Sequence, residues 1–267
     1  MSNLIVPPFE GAFEYNHSWG GPAPAIWLPA GHQANAGTVT AFDLSPYGHR
    51  GTWTNGVTSV GTRGRVWTFG GLARASFGNP ASLDVGAGDW TILAWINTSD
   101  TSTEYLFVRG SSGAGGKRLR LRKLTEHINV EIDDDSTGKN VSSTADIVDG
   151  TWHLVGAQRQ GSTLRTIVDG VEDGTTSIGA YGSIDDTTQP WRLGEDIGGS
   201  DRWHGDVASL AMWRAALTDA AIWEYYTSTL DGSPGCLAMP IGRRVFAAAV
   251  AAPSGAKTPW HLFGRAA

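Results

Sequence analysis

Residues 151–170 read TWHLVGAQRQGSTLRTIVDG, and this stretch limits the possible folds more than any other. Val155 and Ala157 fall on one face of a strand, Gly156 and Gln158 on the other, and Leu164, Thr166 and Val168 repeat the two-residue period. The polar turn Gln160-Gly161-Ser162 separates the two runs, and Asp169-Gly170 closes the second. Asp-Gly beside an apolar run is a strong hairpin signal, because both turn residues must take φ > 0. The spacing predicts a meander of antiparallel strands.

The rest of the chain agrees with that class. Thirty-six glycines and 12 prolines supply turns throughout the 267 residues, and few stretches hold a 3.6-residue apolar period. Strands are expected at Val66–Phe69, Trp90–Asn97, Tyr105–Arg109, Arg118–Lys123, Ile128–Asp133, Trp152–Arg159, Leu164–Val168, Trp191–Gly194 and Val207–Trp213. Leu217–Tyr226 is the one helix candidate, with Thr218 as its cap and Asp219 in the first turn, where a negative charge suits the dipole. Residues 1–24 read as an N-terminal arm rich in Gly, Pro and aromatics. Residues 25–231 read as one sandwich domain, and residues 232–267 as a C-terminal tail. A net charge of −6 argues against a general nucleic-acid binder. The single Cys236 excludes an internal disulfide. Met1–Gly11 lacks the basic start and apolar run of a signal peptide, and no segment nears the ~20 apolar residues of a membrane helix.

The acidic run Glu131-Ile132-Asp133-Asp134-Asp135 invites a catalytic reading, since alternate acids share a strand face as in glycosidases. A register test decides otherwise. With a turn at Leu124–His127, Arg118 faces Asp133, Arg120 faces Glu131, Leu119 faces Ile132 and Leu121 faces Val130. One face is then an ion-pair ladder and the other is apolar. A carboxylate facing a guanidinium is held ionised and cannot serve as the protonated acid of a hydrolase.

Five ordered pieces carry a family resemblance. They are the loop Asp43-Leu44-Ser45-Pro46-Tyr47-Gly48-His49-Arg50-Gly51, the strand Asp89–Ile96 with Ala94-Trp95, and the run Asp149-Gly150-Thr151-Trp152-His153. The hairpin Leu164–Gly170 follows, then Trp203-His204-Gly205-Asp206-Val207 ahead of Leu217-Thr218-Asp219. In this order they resemble laminin G-like domains of the concanavalin A-like lectin and glucanase superfamily. The resemblance implies an all-β fold, a two-sheet antiparallel jelly-roll sandwich with one short C-terminal helix. It also implies a Ca²⁺ site, for which Asp43 and Asp206 are the positions that carry over. Ala208 and Ser209 stand where acids are usual. The fold hosts lectins, adhesion modules, capsid parts and hydrolases, so it does not fix function.

Other chemistry finds less support. Gly110–Lys117 resembles a phosphate loop, but Arg118 replaces the Ser/Thr and a strand follows instead of a helix. Scattered histidines and one cysteine give no zinc pattern. The late acids Asp185, Asp186, Glu195, Asp196 and Asp201 form a second metal candidate. Tyr181, Trp191, Trp203 and His204 are the candidate glycan-stacking rim, should the late loops cluster. The sequence reading is a non-catalytic recognition protein on a virus-like particle, a phage capsid decoration or tail-associated protein on the virion surface. Its arms would dock on neighbouring virion or self subunits, and its sandwich would face glycans. The alternatives are a free carbohydrate-binding lectin, cytoplasmic or non-classically exported and dependent on Ca²⁺, and then a β-glucan hydrolase.

Overall fold

Residues 22–30, 40–55, 57–61, 64–111 and 116–230 are described by the computed structural model. The two arms, apart from residues 22–24, lie outside them. Sixteen strands follow in chain order: β1 Ile26–Pro29, β2 Thr40–Phe42, β3 Arg50–Thr54, β4 Val57–Gly61, β5 Gly64–Gly70, β6 Arg74–Ser76, β7 Trp90–Asn97, β8 Glu104–Gly110, β9 Arg118–Leu124, β10 His127–Asp133, β11 Gly138–Ser142, β12 Trp152–Gln160, β13 Thr163–Val168, β14 Val171–Ser177, β15 Arg192–Leu193 and β16 His204–Trp213. Helix α1 spans Asp219–Thr229. The first sheet runs β14-β13-β12-β7-β16-β5-β4, with β1 also paired to β16, and the second runs β11-β10-β9-β8-β15-β6-β3-β2. All strand pairs are antiparallel, which is the expected two-layer sandwich.

The meander forms as its pattern requires. Val155, Ala157, Leu164 and Val168 enter the core between the sheets, while Leu154 and Ile167 face the other way, towards the helix side. Asp169 and Gly170 take φ of +50° and +85°, the left-handed pair that a two-residue hairpin needs. The β9–β10 register is the predicted one, Arg118 opposite Asp133 and Arg120 opposite Glu131. The connecting turn is shorter than expected, because Leu124 and His127 already pair. Thr125 permits this by adopting φ of +53°.

The helix begins where the cap chemistry sets it. The Thr218 hydroxyl accepts a hydrogen bond from the Ala221 amide, and Asp219 sits in the first turn. Leu217, Ala221, Ile222 and Tyr225 pack on Trp27, Leu93, Trp95, Ala211 and Trp213 of the first sheet. The outer face of that sheet is therefore largely apolar and covered, with Gln158 and Arg165 buried in it and hydrogen-bonded to each other. Asp43 fastens the two sheets at their β1–β2 side. Its carboxylate accepts from the Trp27 amide at 2.7 Å, the Ser45 amide at 2.8 Å, the Ser45 hydroxyl at 2.6 Å and the His49 amide at 2.9 Å.

Candidate functional site on the outer face of the second sheet

The second sheet turns polar side chains outward. Leu119 and Leu121 of β9 and Ile128, Val130 and Ile132 of β10 enter the core, so the residues between them point away from it. The pairings set a row across the strands, Thr52, Ser76, Arg192, Val108, Arg120, Glu131 and Asn140. At the usual strand spacing the row is about 29 Å long. Val108 is its one apolar member. Ile197 seats on Val108 and Tyr105 and divides the face into two charged centres.

The first centre surrounds Glu131. Arg118 Nε donates to Glu131 at 2.6 Å, and Arg118 Nη2 lies 3.0 Å from Asp133. Arg122 pairs with Glu131 at 2.8 Å and Arg120 stands 3.7 Å from it, so three guanidiniums surround one carboxylate. Arg122 also donates to Asn129 and to the Tyr105 hydroxyl, both at 3.0 Å. Arg122 was not among the ion-pair residues read from the register, because its bond to Glu131 runs diagonally. The ladder lies on the outer face as expected, yet it is buried. Arg120 donates to the Ser111 carbonyl at 2.6 Å and Arg118 to the Gly116 carbonyl at 3.4 Å, which brings both ends of the β8–β9 connection against it.

The second centre surrounds Glu195, from the loop after β15. Arg74 Nε lies 3.1 Å from one carboxylate oxygen, Arg192 Nη1 3.1 Å from the other, and Arg202 Nε 3.7 Å away. Here the guanidinium side chains keep 31%, 22% and 29% of their surface while Glu195 keeps 7%. The cations are accessible and the anion beneath them is not.

The aromatic rim is a correction. Trp191, Trp203 and Tyr181 are buried in the core and so cannot offer a stacking face to a sugar. They plug the two open ends of the sandwich, each beneath a cation. At one end Lys123 Nζ lies 5.6 Å over the Trp203 ring. At the other, Arg109 lies 5.7 Å over Trp191 and Arg159 5.9 Å over Tyr181. The physical reason is that a sandwich end exposes its core unless large side chains close it, and an indole beneath a cation does so at low cost. Trp191 also stacks on Phe107 at 4.7 Å, and the Tyr181 hydroxyl donates to the Ile132 carbonyl at 2.8 Å. Burial, with the nearby Asp133 and Asp134 charges, pushes the Tyr181 hydroxyl pKa well up. Of the four rim candidates His204 alone reaches solvent, with 47% of its side chain exposed.

His204 belongs to the plug at the Trp203 end. Its Nδ1 lies 2.5 Å from Glu104, whose other oxygen is 3.1 Å from Lys123 Nζ, and Lys123 also approaches Asp100 at 3.6 Å. The Asp100 pKa is lowered, chiefly by hydrogen bonds from Ser102. Asp100, Glu104 and His204 are the one grouping among the described residues with ligand atoms close enough for a metal ion. The buried ammonium of Lys123 already supplies the positive charge there. The Ca²⁺ candidates Asp43 and Asp206 have different surroundings. The four donors named above occupy the Asp43 carboxylate, while Asp206 accepts from Thr68 at 2.7 Å. The late acids are dispersed as well. Asp185 takes the Val85 and Gly86 amides, Asp186 takes Thr188, and Glu195 takes its three arginines.

The sequence matches the Laminin_G_3 family, described as the concanavalin A-like lectin/glucanases superfamily, over residues 69–223. The chain belongs to this family. No curated protein matches the sequence. Among solved structures, the binding domain of Paraclostridial Mosquitocidal Protein 1 is similar at a TM-score of 0.61 and 13% identity, over 77% of this chain and 52% of that one. A structure of botulinum neurotoxin type C, whose cell entry depends on two ganglioside molecules, is similar at 0.60 and 10%, over 78% and 51%. Domain 4 of AbnA, an extracellular GH43 arabinanase from Geobacillus stearothermophilus solved with arabinotriose, is similar at 0.57 and 12%, over 76% and 97%. At such identities these matches show the fold alone, and the chain spans about half the length of the toxin domains.

Proposed function

We propose that this chain is a non-catalytic carbohydrate-binding domain whose glycan lies on the outer face of the second sheet. The observation that carries the reading is the contrast between the two sheets. The outer face of the first is largely apolar and packed under α1, while that of the second is a row of Thr, Ser, Arg, Glu and Asn side chains broken by Val108 alone. Sugar hydroxyls need such planar donors and acceptors, held rigidly on strands. The fold shared with the arabinotriose-bound domain of AbnA supports it, since that domain is covered almost entirely. Glu131 and Asp133 are engaged by arginines, so this pair is not free to act in glycoside hydrolysis.

The virion role draws on the lack of a signal-peptide pattern and of a disulfide and on the terminal segments, most of which lie outside the described residues, and no comparison above supports it. A glycan array probed with and without EDTA tests the proposal. Binding to a defined set of glycans that survives EDTA is expected, because four protein donors already hold the Asp43 carboxylate. An array with no binding to neutral or acidic glycans overturns it.

A further inference from the structure

We infer that the Arg74–Arg192–Arg202 centre takes the anionic group of an acidic polysaccharide, a carboxylate or a sulfate; this rests on the glycan-binding reading. A guanidinium carries five N–H donors in a planar fork, and three forks present far more donors than one carboxylate can accept. Glu195 lies 3.1 Å from Arg74 Nε and from Arg192 Nη1, while Arg202 Nε stands 3.7 Å away without a hydrogen-bond partner. Arg192 Nη1 spends a further contact on the Asp196 carbonyl at 3.4 Å, and Arg202 Nη1 one on the Gly71 carbonyl at 3.5 Å. Both Nη atoms of Arg74 and the Nη2 atoms of Arg192 and Arg202 find no acceptor among the described residues. The Asp196 carboxylate takes the Gly198 amide at 3.3 Å. With Asp196 counted against the three arginines beside Glu195, one positive charge is left over on a chain of net −6.

The Glu131 centre has the same three-to-one composition, but its guanidinium side chains keep only 8%, 7% and 15% of their surface, so it serves as the closed counterpart. The open centre has the form of an oxyanion site. Glu195 sets the guanidinium planes from below, and the free edges point to where a uronate or sulfate would lie along the row.

The test compares polygalacturonate with its methyl ester, which keeps the backbone and removes the charge, and dextran sulfate with dextran. Each is titrated by calorimetry into the full chain and into Arg74→Gln/Arg202→Gln, two arginines outside the row, whose melting curve reports whether it still folds. Polygalacturonate or dextran sulfate should bind at least tenfold more tightly than its uncharged partner, and that preference should vanish in the double variant while uncharged binding stays. Which charged polymer responds assigns the group as carboxylate or sulfate. Arg74→Gln alone provides a second variant with part of the same loss, and added salt should weaken only the charged ligands. Equal affinity for charged and uncharged partners, or an unchanged preference in the variants, overturns the inference and leaves glycan binding standing. Failure to bind these polymers and every glycan of the array overturns both.

Discussion

At the scale of single residues, charge is balanced by buried pairs. Lys123 and Glu104 are both buried and lie 3.1 Å apart, so removing Lys123 leaves the buried Glu104 carboxylate with His204 alone to balance it. Lys123→Met should cost about 3–5 kcal/mol in urea unfolding, and adding Glu104→Gln should recover part of it. His153 offers a titratable case. Its pKa is raised above 6.5, first by the hydrogen bond with Asp169, against the opposing effect of burial, with further help from the Asp169 charge and Asp149. A group whose folded pKa is raised stabilises fully below its unfolded value and loses that contribution as pH rises through the folded value. The stability gap between the native chain and His153→Gln should therefore be widest below about pH 6.5 and close above it. Thermal melts across that range check the sign, and a gap that widens with rising pH contradicts the assignment.

Elements depend on a few local commitments. Asp43 binds β1 to the loop between β2 and β3, and Asp43→Ala leaves buried donors without an acceptor. A loss of about 1–3 kcal/mol in denaturant melts is expected, with the first strand fraying before the meander in hydrogen exchange. Gly170 shows why a turn residue can be irreplaceable. Its φ is +85°, and a Cβ there would meet Tyr226 Cβ at 2.8 Å. Gly170→Ala should destabilise by more than about 1 kcal/mol, because backbone strain and a clash with α1 add. The elements legible in the sequence are β5, β7, β8, β9, β10, β12, β13, β15, β16 and α1, most of which carry an apolar period or a cap. The missed strands β1, β2, β3, β4, β6, β11 and β14 are short or polar, and several run along sheet edges. β11 (GKNVS) and β14 (VEDGTTS) hold too little apolar pattern to announce a strand; pairing with β10 and β13 makes them strands.

For the whole molecule, the division of labour between two sheets is the main result. The first sheet buries aromatics under a helix, and the second displays arginines. The ladder around Glu131 was legible because hairpin register follows from sequence arithmetic. The centre around Glu195 was not, since it joins β6, β15 and a loop from distant parts of the chain. The sequence reading took Trp191 and Trp203 for a rim because nearby glycines suggest exposure, whereas only the packed sandwich shows that its ends must be closed. The most direct test of the account is an NMR titration of the arginine Nε–Hε signals with an oligosaccharide returned by the array. The account predicts that Arg74, Arg192 and Arg202 shift while Arg165, paired with Asp219 on the helix side, stays fixed. Shifts confined to Arg165 and the residues of α1 would contradict it.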